Sequence, residues 1–189
     1  MSTDTRLGPY RIIRLINEGG QGSVYLGYDR RLQRRVAIKV YTLPGQRAVR
    51  KQCLREAQLV AAIHSPKVVQ VYDVIDSPEH LALVMESVAG CDLEEFLSAV
   101  RPSLGSILAI CGDVAGALAV TRQQRIVHGD LKASNILISD TGRVKLTDFG
   151  IARFAGEGAD TAGSRTALSP EQCLGRPMDI RSDLSLIHI

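Results

Sequence analysis

Hydrophobic and polar residues follow strand-like patterns over much of the first half of the chain. Residues 10–28 contain two alternating runs joined by a glycine-rich turn, and residues 35–40 form an apolar run around Lys39. Residues 68–75 and 81–84 predict two more strands. Between the runs 35–40 and 68–75, apolar residues at helical spacing from Val49 to Ala61 predict one helix. This half therefore predicts a small five-stranded sheet with one helix.

The second half combines a helix with a short hairpin. Small and aliphatic residues at helical spacing predict a buried helix over residues 107–122. The apolar runs 136–138 and 144–146 are separated by residues 140–143, a polar turn containing glycine, and predict a hairpin. Beyond Gly150 the apolar period is lost, which predicts a polar loop.

Polar side chains flank this hairpin on both sides. Asn135 directly precedes its first strand and Asp148 follows its second strand, so both can converge on one point. Amide and carboxylate oxygens suit Mg²⁺, which completes its shell with water and phosphate. Asp130 and Lys132 lie in the loop that enters the hairpin. They are a candidate proton acceptor and a candidate positive charge beside the metal.

Composition excludes several classes of protein. The 189 residues carry a net charge of +3, too small and too dispersed to indicate a nucleic-acid partner. The four cysteines form no C-x-x-C pair, so neither a zinc site nor a disulfide framework is predicted, and a reducing cytoplasm is the simpler location. We expect that no apolar run in the chain reaches the ~20 residues needed to span a bilayer. The N-terminus lacks the apolar core of a signal peptide.

The segment from His128 to Gly150 resembles the catalytic and metal-binding loops of eukaryotic-type protein kinases. The family pattern His-Arg-Asp-Leu-x-x-x-x-Asn followed by Asp-Phe-Gly is met by His128, Asp130, Leu131, Asn135 and Asp148-Phe149-Gly150. Lys132, two residues after the aspartate, is typical of the serine/threonine kinases. The resemblance implies an α+β, two-lobed kinase fold with an antiparallel five-stranded sheet and a mainly helical second lobe.

The resemblance also implies roles for individual residues. Asp130 and Lys132 would be catalytic, and Asn135 and Asp148 would hold Mg²⁺, with Mn²⁺ as an alternative. The ATP-binding residues would include Lys39, which contacts the α/β-phosphates, and Glu56, its ion-pair partner on the helix. The remaining expected ATP contacts are Ile16, Gly19, Gly22, Val24, Ala37, Glu86, Val88, Asp92 and Leu137.

Asp92 has a second predicted role that does not depend on the resemblance. It begins Asp92-Leu-Glu-Glu95, which has the spacing of a helix-capping box.

Several positions depart from the family pattern, among them Ser164, which stands where the family has threonine. Asn17 replaces the first glycine of the glycine-rich loop, and Ala167 stands where tyrosine is usual. Gly129 replaces the arginine that in many kinases pairs with a phosphate on the activation segment. We therefore expect activity not to depend strongly on phosphorylation of the hydroxyl residues Thr161, Ser164 and Thr166.

The resemblance divides the chain into a tail (1–9), a first lobe (10–84), a hinge (85–91) and a partial second lobe (92–189). Residues 181–184 resemble the start of the lobe's central helix, whose aspartate, Asp183, would brace the catalytic loop. The family's remaining helices do not follow, so we expect a fragment with exposed apolar surface. We expect this fragment to be less stable than an intact domain and to show little activity by itself. The buried partner of Glu171 is expected in the part that is missing.

The predicted function is transfer of the ATP γ-phosphoryl group to protein serine or threonine hydroxyls, including the protein's own. Two alternatives remain: a small-molecule kinase of the aminoglycoside phosphotransferase type, whose loops often read His-Gly-Asp, and a non-catalytic nucleotide-binding module. Lys132, Asp148 and the Ser169-Pro170-Glu171 run favour the protein kinase. We expect a cytoplasmic domain, with membrane attachment only through sequence beyond the chain.

Overall fold

The computed structural model describes residues 5–19, 22–41, 47–149, 153–154, 169–176 and 179–185. The chain divides into two compact units. The first comprises Met1–Ala61 and Gln70–Ser87, and the second comprises Ala62–Val69 and Val88–Ile189. This division differs from the sequence-based one in that residues 62–69 belong to the second unit.

The first unit is an antiparallel sheet with one helix, α1 (Arg47–Ala61), which packs against its edge strand β5. The five predicted strands are present, and a two-residue strand precedes them. The sheet order is β1-β2-β3-β4-β6-β5. In chain order the strands are β1 (Arg6–Leu7), β2 (Tyr10–Gly19), β3 (Gly22–Asp29), β4 (Arg34–Tyr41), β5 (Val71–Asp76) and β6 (Leu81–Glu86).

One face of this sheet forms a hydrophobic core. Alternation along β4 places Val36 and Ile38 on this face, where both are fully buried, together with Tyr10, Ala82 and Val84. The alternate β4 residues therefore lie on the opposite face.

Glycine and a hydrogen bond adapt the core face to close packing. A Cβ atom at Gly27 would lie 2.5 Å from Cδ1 of Ile38, so any larger residue there would require the end of the Ile38 side chain to shift. The Tyr10 hydroxyl donates to Oδ2 of Asp73 (2.8 Å) and joins β2 to the edge strand β5.

The second unit contains the predicted hairpin. Its strands are β9 (Ile136–Ser139) and β10 (Val144–Leu146), paired so that Ile136 faces Leu146. A third strand, β7 (Gly90–Asp92), pairs with β9 and was not predicted. The other elements are α2 (Leu93–Ala99), α3 (Leu104–Gln123), β8 (Ile126–Val127), β11 (Arg153–Phe154), α4 (Pro170–Cys173) and α5 (Ile180–Ser185).

Residues 67–69 join the hairpin rather than the first sheet. The Val69 amide donates to the Leu146 carbonyl (2.8 Å), and the Leu146 amide donates to the Lys67 carbonyl (2.9 Å). The Lys67 ammonium pairs with Asp113 on α3 at 2.5 Å. The predicted strand over 68–75 therefore begins only at Val71, because backbone groups of its first residues bond elsewhere.

The helix α3 is less buried than its sequence predicted. Val114, Ala117, Leu118 and Thr121 are buried, whereas Leu104 and Leu108 are 72% and 62% exposed. By length and composition alone this helix could also cross a membrane, so the expectation that no run is long and apolar enough is wrong. Its C-terminal half packs against β8 and β10.

Candidate active site

Three polar side chains meet in the loop between β8 and β9. Asp130 is 5% exposed, and its Oδ2 lies 3.1 Å from the Lys132 ammonium. Nδ2 of Asn135 donates to the Asp130 carbonyl (2.8 Å) and to Oδ2 of Asp130 (3.2 Å). The loop thus holds a carboxylate, an ammonium group and an amide in hydrogen-bonding contact.

The hairpin positions the two candidate metal ligands. Asn135 closes a 3₁₀ turn (Ala133–Asn135) directly before β9, and its carbonyl accepts from the Thr147 amide (3.0 Å). This bond extends the β9–β10 ladder by one residue pair, Asn135 with Thr147. Asp148 is the residue directly after Thr147, so the hairpin fixes its backbone position relative to Asn135. Asp148 has a φ of +54°, a conformation that is uncommon outside glycine.

His128 supports the loop from within. Its Nε2 lies 2.9 Å from the Thr147 carbonyl, and its Nδ1 accepts from the Asp130 amide (3.3 Å). A carbonyl can only accept, so the imidazole carries its proton on Nε2. The ring is fully buried, with its centroid 4.4 Å from that of Phe149. The sequence motif contained His128 but gave no reason for this bridging role.

Asp183 holds the backbone just before Asp130. Its carboxylate accepts from the His128 amide (2.9 Å) and from the Gly129 amide (2.8 Å). Burial raises the pKa of Asp183, while the two backbone N–H donors, of His128 and Gly129, oppose the rise. This contact is the brace that the resemblance implied for Asp183.

The two predicted metal ligands carry oxygen donors that suit a hard cation. The Asn135 amide nitrogen is engaged with Asp130, which leaves the amide oxygen as its remaining ligand atom, and the half-buried Asp148 carries a carboxylate. Among the described residues there is no group of three or more His, Cys, Asp or Glu side chains placed to hold a metal. Two oxygen donors fit Mg²⁺, which is usually bound by one or two carboxylates together with phosphate and water.

In the first unit, several predicted ATP-binding residues share one sheet face. Val24 lies directly opposite Lys39, and Ala37 lies two residues before Lys39 on β4. This face is opposite the core. Gly19 pairs with Gly22 at the end of the β2–β3 hairpin. Ile16, at an irregularity in β2, is 47% exposed.

Lys39 and Gly22 are the most constrained of these residues. The Lys39 side chain is 6% exposed, and its ammonium lies 5.6 Å from the Tyr41 ring centroid. Gly22 has a φ of +142°, and a Cβ there would lie 2.0 Å from the Val40 carbonyl oxygen. Only glycine fits at this position. Glu86 ends β6 in the same unit.

In the second unit, Asp92 lies directly opposite Leu137 where β7 pairs with β9, so the two side chains share a face. Oδ1 of Asp92 also accepts from the Glu95 amide (2.8 Å), which confirms the predicted helix cap. Val88 is half-buried in the loop before β7.

Some predicted positions lie outside the described residues. These are Gly150, the Glu56 side chain, and Thr161, Ser164, Thr166 and Ala167. The backbone of Glu56 belongs to α1, as predicted.

Sequence reasoning missed a contact of Glu171. The buried Ser182 hydroxyl hydrogen-bonds its carboxylate and, with a smaller contribution from Ser169, lowers the pKa of Glu171. Serine is too common near helix starts to have signalled this contact.

Comparison with known proteins places this arrangement in a family. The chain is 38% identical over 190 residues to the serine/threonine-protein kinase pkn2 of Myxococcus xanthus, covering 94% of this chain and 23% of that protein. It is 36% identical to PrkC of Bacillus subtilis, covering 96% and 29% respectively. PknL of Mycobacterium tuberculosis is 37% identical, with coverage of 95% and 47%. The chain thus spans less than half the length of each of these relatives.

The family model described as the protein kinase domain matches residues 10–184. That range includes strands β2 to β6 of the first unit and the loop and hairpin of the second. The predicted α+β kinase fold is therefore confirmed, and the chain belongs to the protein kinase family.

Proposed function

We propose that the protein is a serine/threonine kinase that transfers the γ-phosphoryl group of ATP to protein hydroxyls. The observation that carries this proposal is the buried contact of Asp130 with Lys132 and Asn135, in a chain of the protein kinase family. Such enzymes act mainly by positioning the reactants and neutralising developing charge.

Each group of the loop has a role in this mechanism. Asp130 accepts or orients the proton of the substrate hydroxyl, and Lys132 neutralises charge on the transferring phosphoryl group. Asn135 and Asp148 would hold Mg²⁺, which would supply positive charge to the phosphates when bound. The hydrogen bond from Asn135 to Oδ2 of Asp130 orients the carboxylate.

The nucleotide-binding role of the other predicted residues is part of the same proposal. On the first sheet, Lys39 binds phosphate with Glu56 as its partner. Gly19 and Gly22 allow close backbone approach. In the second unit, Asp92 and Leu137 share a face that suits ribose and adenine. Adenine is contacted by side chains of Ile16, Val24 and Ala37 and by backbone groups of Glu86 and Val88.

Transfer of labelled phosphate from ATP to generic protein acceptors, and to the protein itself, tests the proposal. Asp130→Asn keeps the size of the side chain but removes its basicity, so we expect transfer to fall by about 10²-fold or more. Asp140→Asn, in the exposed hairpin turn, is the matched control and should retain the wild-type rate. Removal of Mg²⁺ should stop transfer.

Analysis of the phosphorylated residues separates the alternatives. Phosphoserine or phosphothreonine that disappears in Asp130→Asn supports the proposal. Transfer only to an aminoglycoside or sugar would indicate a small-molecule kinase. ATP binding without transfer to any acceptor would indicate a non-catalytic module.

A further inference from the structure

Three arginines form a row across neighbouring strands of the first sheet. Arg6 on β1 lies directly opposite Arg11 on β2, Arg11 lies opposite Tyr28 on β3, and Tyr28 lies opposite Arg35 on β4. Directly opposed residues share a sheet face, so all four side chains lie on one side. We call Arg6, Arg11 and Arg35 the basic row.

The basic row is accessible and lies opposite the hydrophobic core. All three arginines are exposed and Tyr28 is half-buried. Alternation along β4 puts Arg35 on the same face as Ala37 and Lys39, whereas Val36 belongs to the core face. The guanidinium carbon of Arg11 lies 6.0 Å from the Tyr28 ring centroid, so the ring helps to orient one cation.

Nearby acidic residues are directed elsewhere. Asp29 is buried, and its carboxylate accepts from the Arg31 and Leu32 amides in the β3–β4 turn. Asp73 accepts from the Tyr10 hydroxyl on the core side. Arg11 and Arg35 form no ion pair with any residue that the structure describes.

The chemistry of the row favours carboxylates as its ligands. An arginine fork can bind a carboxylate through two hydrogen bonds. Carboxylates are therefore the anions that match Arg11 and Arg35.

The spacing of the row suits an extended acidic peptide. Neighbouring strands lie ~4.8 Å apart, so the backbones of Arg11 and Arg35, two strands apart, are separated by ~10 Å. Carboxylates on alternate residues of an extended peptide recur every ~7 Å, within reach of these long side chains. We infer that the basic row binds an acidic, extended segment of a partner protein.

A small patch fits a peptide better than the larger polyanions. Nucleic-acid binding commonly neutralises ~6–10 phosphates, whereas this row contains three cations. The whole chain carries a net charge of only +3, which provides little general attraction to nucleic acid or to an anionic bilayer. The inference does not depend on phosphoryl transfer.

Fluorescence anisotropy with a labelled peptide of alternating glutamate and glycine tests the inference on the intact protein. We expect Arg11→Glu combined with Arg35→Glu to weaken binding by about tenfold or more. Arg101→Glu is the matched control, because Arg101 is exposed in the second unit, and it should bind like wild type. The glutamine version of the peptide should not bind.

A neutral double variant, a folding control and two competing ligands complete the test. The neutral pair Arg11→Gln and Arg35→Gln should also weaken binding, and circular dichroism should show both double variants folded. Equal peptide affinity in wild type and either folded double variant would overturn the inference. So would tighter binding to a single-stranded oligonucleotide or to phosphatidylserine vesicles than to the peptide. Because binding is measured without ATP, failure here leaves the kinase proposal unaffected.

Discussion

At the scale of single residues, Gly129 shows how the backbone before Asp130 is held. It has a φ of +76°, in the left-handed region, and its amide donates to Oδ1 of Asp183 (2.8 Å). A residue with a side chain adopts this conformation only with strain. Glycine therefore lets the chain turn this amide towards Asp183 without backbone strain. It also lacks the arginine side chain that is usual at this position in the family.

Replacement of Gly129 by alanine should lower the free energy of unfolding by about 1 kcal/mol, because alanine is strained at positive φ. Chemical denaturation measures this change. Gly112→Ala is the matched control, since Gly112 lies in α3 with open space at its Cβ position. It should raise stability by about 0.5–1 kcal/mol. Equal effects of the two substitutions would contradict the strain at Gly129.

At the scale of elements, the hydrogen bond from the Tyr10 hydroxyl to the Asp73 carboxylate connects β2 with the edge strand β5. Burial, followed by the hydrogen bond and the charge of Asp73, raises the pKa of Tyr10 from 10.0 to about 12. The neutral phenol is thus favoured in the folded protein. The stability that the neutral Tyr10 phenol contributes is fully present below pH 10 and is lost as the pH rises through about 12.

In the wild-type protein, ionisation of Tyr10 should lower the free energy of unfolding between pH 10 and about 12. Tyr10→Phe should lack this decrease, because phenylalanine does not ionise. At neutral pH it should cost about 1 kcal/mol through the lost hydrogen bond. Urea unfolding at several pH values measures both effects. Asp73→Asn keeps the burial but removes the carboxylate, so it should reduce the pH dependence without abolishing it. A wild-type pH dependence in Tyr10→Phe would refute the assignment.

At the scale of the whole molecule, α3 divides into a buried and an exposed part. Val114, Ala117 and Leu118 are buried in the second unit, whereas Leu104 and Leu108 point into solvent. An exposed apolar stripe of this kind promotes association or binding of other apolar surfaces. The same stripe makes the helix apolar enough to resemble a membrane span by composition.

In the 189-residue chain, Leu104→Ala with Leu108→Ala should change the free energy of unfolding by less than about 1 kcal/mol, because exposed side chains contribute little. Binding of a hydrophobic dye should fall. Leu118→Ala on the same helix should instead cost about 2–5 kcal/mol, because that side chain is buried. A loss of that size in the double variant would show that the stripe is covered.

Local sequence patterns predicted several elements that carry predicted site residues. The hairpin from Ile136 to Leu146, the glycine turn between β2 and β3, and the cap at Asp92 all depend on residues close in sequence. Alternation and turn chemistry are properties of neighbouring residues, so they can be read without the fold. The family motif added the expected roles of Asp130, Lys132 and Asn135.

Contacts between distant residues could not be predicted in the same way. Residues 67–69 look like part of a strand, yet their backbone bonds to Leu146, and the burial of α3 changes along its length. The Glu171–Ser182 contact and the basic row likewise depend on which elements become neighbours.

The sequence by itself determined the main strands of the first sheet, the hairpin with its turn and the identity of the reactive groups, because these follow from short-range sterics and from side-chain chemistry. Only the tertiary structure decided that the Gly129 amide turns towards Asp183, that His128 bridges Thr147 and Asp130, and that arginines from three strands align. Those arrangements arise from packing between segments far apart in the chain, where no local pattern constrains the partner.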